Sequence, residues 1–123
     1  MVLVDTSVWV HHLREGNPVL SRLLANGEVM CHPFIVDELA CGNLKSRSEV
    51  LSLLRLLPVA VQADHEEVLQ FVETKRLMGK GLGYVDVHLS ASAALTGVML
   101  WTLDKRLDQA NEGLGLSYKP EPE

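Results

Sequence analysis

Val2-Leu3-Val4-Asp5-Thr6-Ser7: three consecutive apolar residues end on an acid followed by two hydroxyls. An apolar run without polar alternation is the pattern of a strand covered on both faces, as in a parallel sheet. Thr6 or Ser7 is placed to cap a helix running to about Leu13. The rest of the chain repeats this strand-then-helix punctuation. Asn17-Pro18 is a cap with proline at the first helical position, opening a helix to Ala25 that Asn26-Gly27 ends. Glu28 to Cys31 reads as a second strand, and Pro33 starts a helix that carries Phe34, Ile35, Glu38 and Leu39 and ends at Gly42.

Ser46 to Glu49 has capping-box spacing before a leucine-rich helix to Leu57, and Pro58 to Val61 reads as a third strand. Asp64 to Glu67 is a second such box, opening a helix to about Met78. Gly79, Gly81 and Gly83 form a flexible loop before a helix of small residues from Tyr84 to Thr96. Gly97 ends that helix, Val98 to Trp101 is the fourth strand, Asp104 to Ala110 a short helix, and Leu114 to Tyr118 a last edge strand. Alternation of this kind predicts an α/β fold. Its centre is a parallel sheet of four to five short strands, flanked by helices on both faces and joined by right-handed crossovers.

Composition sets the bounds. The 123 residues suit one domain, taken as residues 1–119 with a frayed tail at 120–123. With 47% hydrophobic residues the chain needs neither disulfides nor a structural metal to fold. Leu89 to Trp101 is too short and too polar to span a bilayer, which takes about 20 apolar residues. The first residues lack the basic segment and apolar run of a secretory signal. With two cysteines, Cys31 and Cys41, and no CxxC spacing, this predicts a reduced, cytoplasmic protein. A net charge of -5 argues against coating nucleic acid by electrostatics alone, though not against an enzyme that meets a phosphodiester through bound cations.

In a parallel sheet, strand C-termini and the N-termini of the following helices share one edge, where ligands bind. Asp5 ends the first strand. Glu38 lies in the helix after the second, its side chain tilted back toward that edge. Asp86 is in the first turn of the helix entering the fourth strand, and Asp104 follows that strand. Each acid alone has an ordinary reading as a cap or a helix-dipole partner, Glu38 least so because its helix is largely apolar. Asp37 points about 100° away from Glu38 and reads as solvated. As a set, four carboxylates in one cleft repel one another and call for a counterion. All-oxygen donors suit Mg²⁺ or Mn²⁺, and no His/Cys set competes for zinc. Such an ion supports hydrolysis of a phosphodiester without a covalent enzyme intermediate.

These same residues carry a family resemblance. Val2 to Val10 resembles the first strand and turn of PIN-domain ribonucleases, nearest to the VapC-type toxins of toxin-antitoxin pairs. Phe34 to Leu39 resembles the helix bearing that family's glutamate, Gly81 to Asp86 its loop and third acid, and Leu100 to Asp104 its strand with a Thr-x-Asp ending. The four pieces occur in the family's order. The resemblance implies a Mg²⁺-dependent endoribonuclease, with Mn²⁺ able to substitute. Asp5, Glu38, Asp86 and Asp104 would hold the metal, supported by the hydroxyls of Thr6 or Ser7 and of Thr102. It also implies a homodimer and a VapB-type antitoxin, with DNA met only through that antitoxin. Two departures stand out: His11 or His12 where members often carry an acid, and Arg106 where some carry an acid two residues after the fourth. Asp108, one turn beyond Asp104, is then a candidate secondary ligand.

Lys75, Arg76 and Lys80 precede the glycine loop, and Lys105 and Arg106 follow Asp104. Of these, Lys80, Lys105 and Arg106 are candidate phosphate contacts, with Tyr84 as a base contact. Lys45 and Arg47 flank a more remote loop. Trp9 reads as core or dimer interface, and His65 and His88 as surface or satisfied helix residues. Three rival readings fit these residues less well. A phosphorelay receiver needs a phospho-accepting Asp ending the third strand, where none stands. A haloacid-dehalogenase-type phosphatase needs an Asp two residues after Asp5, where Ser7 stands. A catalytically inactive PIN-like module is disfavoured by four intact acids. The RNA cleaved is not encoded in these motifs, and a DNA nuclease is the less favoured substrate reading.

Overall fold

The computed structural model describes residues 1–121, so the tail expected at 120–123 lies partly outside the described residues. The elements run β1 (Val2–Val4), α1 (Thr6–Glu15), α2 (Pro18–Ala25), β2 (Val29–Met30), α3 (Pro33–Ala40), α4 (Arg47–Arg55), α5 (His65–Lys75), α6 (Tyr84–Thr96), β3 (Met99–Trp101) and α7 (Lys105–Leu114). The sheet is parallel, in the order β2-β1-β3. Leu3 pairs with Met30 on one side and Leu100 on the other, and Val4 with Trp101. All three β1 residues are buried, as their unbroken apolar run requires.

The α/β reading holds, but the strand count is corrected: three strands form among the described residues, not four to five. The two missing strands shrink to single parallel bridges at the sheet's edges, Cys31 with Val59 and Leu100 with Ser117. Pro58 has no N–H to extend the first of these, and the flanking Val59 and Val61 are 54% and 52% exposed. The second is cut short because α7 continues to Leu114, beyond the predicted end at Ala110.

The main core gathers β1 and β3 with Val8, Leu20, Ile35, Leu54 and Leu89. A second cluster of Val68, Leu77, Val87, Ala91 and Ala110 joins α5, α6 and α7. Residues 87–93 of α6 are all buried, and its alanines and serines let it lie between these clusters. No helix among the described residues is long and apolar enough to cross a membrane.

Capping follows the sequence in part. Asn17 accepts from the Leu20 amide at 3.0 Å, and Asp64 and Glu67 complete a reciprocal box. Ser46, expected to cap α4, instead adopts a left-handed conformation (φ 52°) and makes no side-chain cap bond. Neither Thr6 nor Ser7 caps α1, which begins at Thr6 itself. The cap of α3 was not foreseen: His32 Nδ1 accepts from the Phe34 amide at 3.0 Å. That ring is buried, and burial together with the neighbouring His88 lowers its pKa to about 4, against a weaker opposing pull from Asp37. Because the folded pKa lies below the unfolded 6.5, the unfolded chain binds more protons between these values. Stability contributed by neutral His32 is therefore complete above pH 6.5 and is lost as pH falls toward 4. His32→Asn keeps a capping acceptor and removes the titration. Its melting temperature should fall less steeply than that of the parent across this window when followed by circular dichroism.

Candidate active site

Asp5 sits where β1 ends, 6% exposed, with its amide bonded to the Trp101 carbonyl at 2.9 Å. It occupies the cap position of α1 but makes no side-chain cap bond, so the ordinary reading of this acid does not hold. Its Oδ2 accepts from Thr102 Oγ1 at 2.7 Å and from Ser7 Oγ at 2.8 Å. Each hydroxyl has one proton and spends it on Asp5, so the Ser7 and Thr102 oxygens, 3.3 Å apart, are only neighbours. Both then accept from backbone: Thr102 from the Asp104 amide at 3.1 Å, Ser7 from the Leu103 amide at 3.0 Å. The turn after β3 is thereby tied to the end of β1.

The other three acids are anchored in the same economical way. Glu38, exposed on α3, accepts from Thr6 Oγ1 at 2.7 Å through Oε1. Asp86, at the third position of α6, turns Oδ2 back to the Gly83 amide at 3.0 Å. A Cβ at position 83 would stand 3.4 Å from that oxygen, so glycine leaves it room. Asp104 caps α7, its Oδ1 accepting from the Arg106 and Leu107 amides at 2.9 and 3.1 Å. Thus every one of the four commits one oxygen to the scaffold, and the second has no protein partner among the described residues. No lysine or arginine among those residues forms an ion pair with any of them.

Like charge is felt across the group. Burial raises the Asp86 pKa, and the negative charges of Asp5 and Asp104 raise it further, against the Gly83 amide. Among the described residues, no three carboxylate, imidazole or thiolate side chains stand close enough to hold one ion between them as they are. The set is therefore open. Its donor chemistry nonetheless fits a hard divalent cation: only oxygen, four negative charges, four spare oxygens, and no internal cation to compete.

Asp108, the candidate secondary ligand, is placed differently. One oxygen accepts from Ser117 Oγ at 2.5 Å and the other pairs with Lys119, which also bonds Glu112. Both oxygens serve the C-terminal segment. His11 pairs with Glu15 at 3.2 Å, and His12 accepts from the Asn17 amide at 3.0 Å, so both serve the end of α1.

Among the candidate RNA contacts, Lys80 and Arg106 line one depression, with Gln109 and Ala110. Lys105 is exposed at the start of α7, and Lys75 and Arg76 close α5. Tyr84 is 55% exposed and borders a groove of about 440 Å³ with Phe34, Glu38 and Cys41. Trp9 is core, at 5% exposure. Sequence reasoning missed Arg14 and set Lys45 at a remote loop, whereas both line a cavity with Thr6 and Glu38. Helical spacing could have flagged Arg14, which lies eight residues after Thr6 on α1, but the fold of the 42–45 loop has no local signal. It also misjudged His88, which is 5% exposed, with both ring nitrogens unpartnered. The ring lies edge-on to Phe34 at 4.8 Å and to Tyr84 at 4.5 Å.

Fold and side chains together define a parallel α/β domain with four acids drawn from four segments. Residues 2–113 match the PIN domain family. Two curated relatives, both Ribonuclease VapC32 from Mycobacterium tuberculosis (strains CDC 1551 and H37Rv), are 47% identical over 122 residues, covering 98% of this chain and of each relative. Solved structures share the fold. FitAcB from Neisseria gonorrhoeae has a TM-score of 0.64 at 22% identity, covering 91% of this chain and 94% of that one. FitAB bound to the IR36 DNA fragment has 0.63 at 18%, covering 91% of each. PAE2754 from Pyrobaculum aerophilum has 0.62 at 18%, covering 91% of this chain and 80% of that one. The chain belongs to the PIN domain family and, within it, to the VapC group.

Thr102→Val tests the anchoring. It removes the donor to Asp5 and the acceptor of the Asp104 amide while leaving every acid in place. It should cost about 2 kcal/mol in urea denaturation, in the range for hydrogen bonds to charged groups. Thr102→Ser should recover most of that loss.

Proposed function

We propose that this chain is the toxin of a type II toxin-antitoxin system, a Mg²⁺-dependent endoribonuclease that hydrolyses RNA phosphodiester bonds with water as nucleophile. One observation carries the site assignment: four carboxylates from four separate segments each keep a spare oxygen and meet no protein cation. The kinship with ribonucleases named VapC32 supports the reaction class. PIN-domain ribonucleases are metal-dependent as a class. Asp5, Glu38, Asp86 and Asp104 would hold Mg²⁺, or Mn²⁺ in its place. A bound divalent ion there supplies charge neutralisation, polarisation of a phosphoryl oxygen and activation of water.

The chain's own residues do the rest. Thr6 holds Glu38, Ser7 and Thr102 hold Asp5, and Gly83 holds Asp86, so the acids are oriented before substrate arrives. Tyr84, Lys80, Lys105 and Arg106 surround this set as contacts for the strand. A second copy of the chain, a VapB-type antitoxin and a cytoplasmic location belong to the same reading, with DNA met only through the antitoxin.

The test is cleavage of total cellular RNA by antitoxin-free protein with Mg²⁺, with EDTA, and by Asp86→Asn. Discrete Mg²⁺-dependent fragments with 5′-phosphate and 3′-hydroxyl ends are expected, absent from both controls. Fragments with 2′,3′-cyclic ends would overturn the water mechanism. No cleavage by folded, metal-binding protein would favour an inactive binding module.

A second readout needs no turnover. Ionised Asp86 is disfavoured in the fold, so removing its charge should raise the melting temperature of the metal-free protein at neutral pH. Millimolar Mg²⁺ should raise that of the parent by mass action and do so much less for Asp86→Asn. Equal Mg²⁺ shifts in both proteins would sink the shared site.

A further inference from the structure

Arg106 departs from the acid that some family members carry at its position, and its surroundings give it a distinct setting. The guanidinium lies directly over Gly81. A Cβ at position 81 would meet its Nη1 at 2.7 Å and its Cδ at 3.0 Å. Gly81 has φ 74°, a conformation that side chains disfavour, and a side chain there would push the guanidinium aside. Although exposed, the Arg106 side chain has no hydrogen bond or ion pair among the described residues. Its helical neighbours at i+3 and i+4 are Gln109 and Ala110, neither of them acidic. The nearby acids Asp108 and Glu112 are taken by Lys119.

Lys80 and Gln109 line the same depression, of about 290 Å³, and add an ammonium and an amide. The depression also adjoins the acids through the chain. Asp104 holds the Arg106 amide at 2.9 Å, and Gly83, which holds Asp86 at 3.0 Å, follows Gly81 by two residues. One loop thus seats the arginine and orients an acid.

We propose that Arg106, Lys80 and Gln109 form a seat for a phosphodiester group of the RNA strand beside the acid site, and that Gly81 positions the guanidinium in it. This rests on the ribonuclease reading above. Arginine suits the task because its planar fork holds phosphate oxygens in pairs, and the seat is selective for charge and not for base.

Binding of a mixed-sequence single-stranded RNA is measured over a range of salt in an Asp86→Asn background, so that the strand is not cut. Each phosphate contact on a single strand contributes about 0.7 to the slope of log affinity against log salt. Arg106→Ala and Lys80→Ala should each lower the slope by about 0.7 and weaken low-salt affinity several-fold. Arg106→Lys should keep the slope while losing affinity. Gly81→Ala, which changes no charge, should weaken binding by displacing the guanidinium. Arg55→Ala, an exposed arginine outside the depression, should leave the slope unchanged. If the background protein binds RNA and the Arg106 and Lys80 variants keep its slope, the seat is wrong and the ribonuclease reading stands. If the background protein binds no RNA and the parent cleaves none, both fall.

Discussion

A carboxylate at 6% exposure, held by two hydroxyls and no cation, is the constraint on which this structure turns. The side chain of Asp5 at the end of the central strand has been taken out of water, and each hydroxyl bond to it returns only part of the lost hydration. The position follows from the sheet. β1 is flanked on both sides by parallel partners, β2 on one side and the later β3 on the other, so the strand order reverses at its C-terminal end. Thr102 donates to Asp5 and accepts from the Asp104 amide, so the turn after β3 is fixed by the acid that ends β1. The site is thus welded into the fold and not appended to it.

The remaining charges are sorted around that centre. Neutral donors, hydroxyl and amide, orient all four acids, while cations are kept to the rim or neutralised elsewhere. Lys119 is taken by Asp108 and Glu112, and Arg106 lies on a glycine, away from any carboxylate. This arrangement explains why Asp108 differs from the four although it shares a helix with Asp104. It already has a cation: burial pushes its pKa up, but bonds to Lys119 and Ser117 hold it low on balance, while that of Asp86 is raised. Burial raises Asp86 first and its acidic neighbours add to it, so the repulsion inferred from the acids as a set has a physical trace in the folded protein.

What could be read in the sequence was what local pattern encodes. The unbroken run Val2 to Val4, the small-residue helix from Tyr84 to Thr96 and the asparagine and aspartate caps at positions 17 and 64 came out as read. The approach of Asp5, Asp86 and Asp104 followed from alternation alone, because any parallel sheet brings those segments to one edge. The edge strands failed because one bridge is decided by pairing geometry, not by apolar content: Val59 and Val61 have strand-forming side chains but remain exposed. Ser46 failed because capping-box spacing says nothing about a left-handed turn. His88 was misread and His32 went unread because burial of an imidazole is a tertiary fact. Their rings meet through Phe34 from helices more than fifty residues apart in sequence.

Neutral anchoring also bears on what the site can select. A lysine or arginine among the four acids would satisfy them and stabilise the fold, yet it would fill the place where a substrate's counterion has to sit. Hydroxyls and amides fix orientation without cancelling charge, so the electrostatic cost is retained in the folded protein, as the raised pKa of Asp86 reflects. Four spare carboxylate oxygens match a hard divalent ion in both charge and donor type. The same logic sets the place of the basic groups. On the proposed reading a phosphate needs positive charge near the acids but not paired with them, and the Arg106 guanidinium, lying over Gly81, forms no ion pair with them. Stability forgone at the carboxylates thus belongs to an arrangement in which neutral donors orient the acids and no lysine or arginine among the described residues pairs with them.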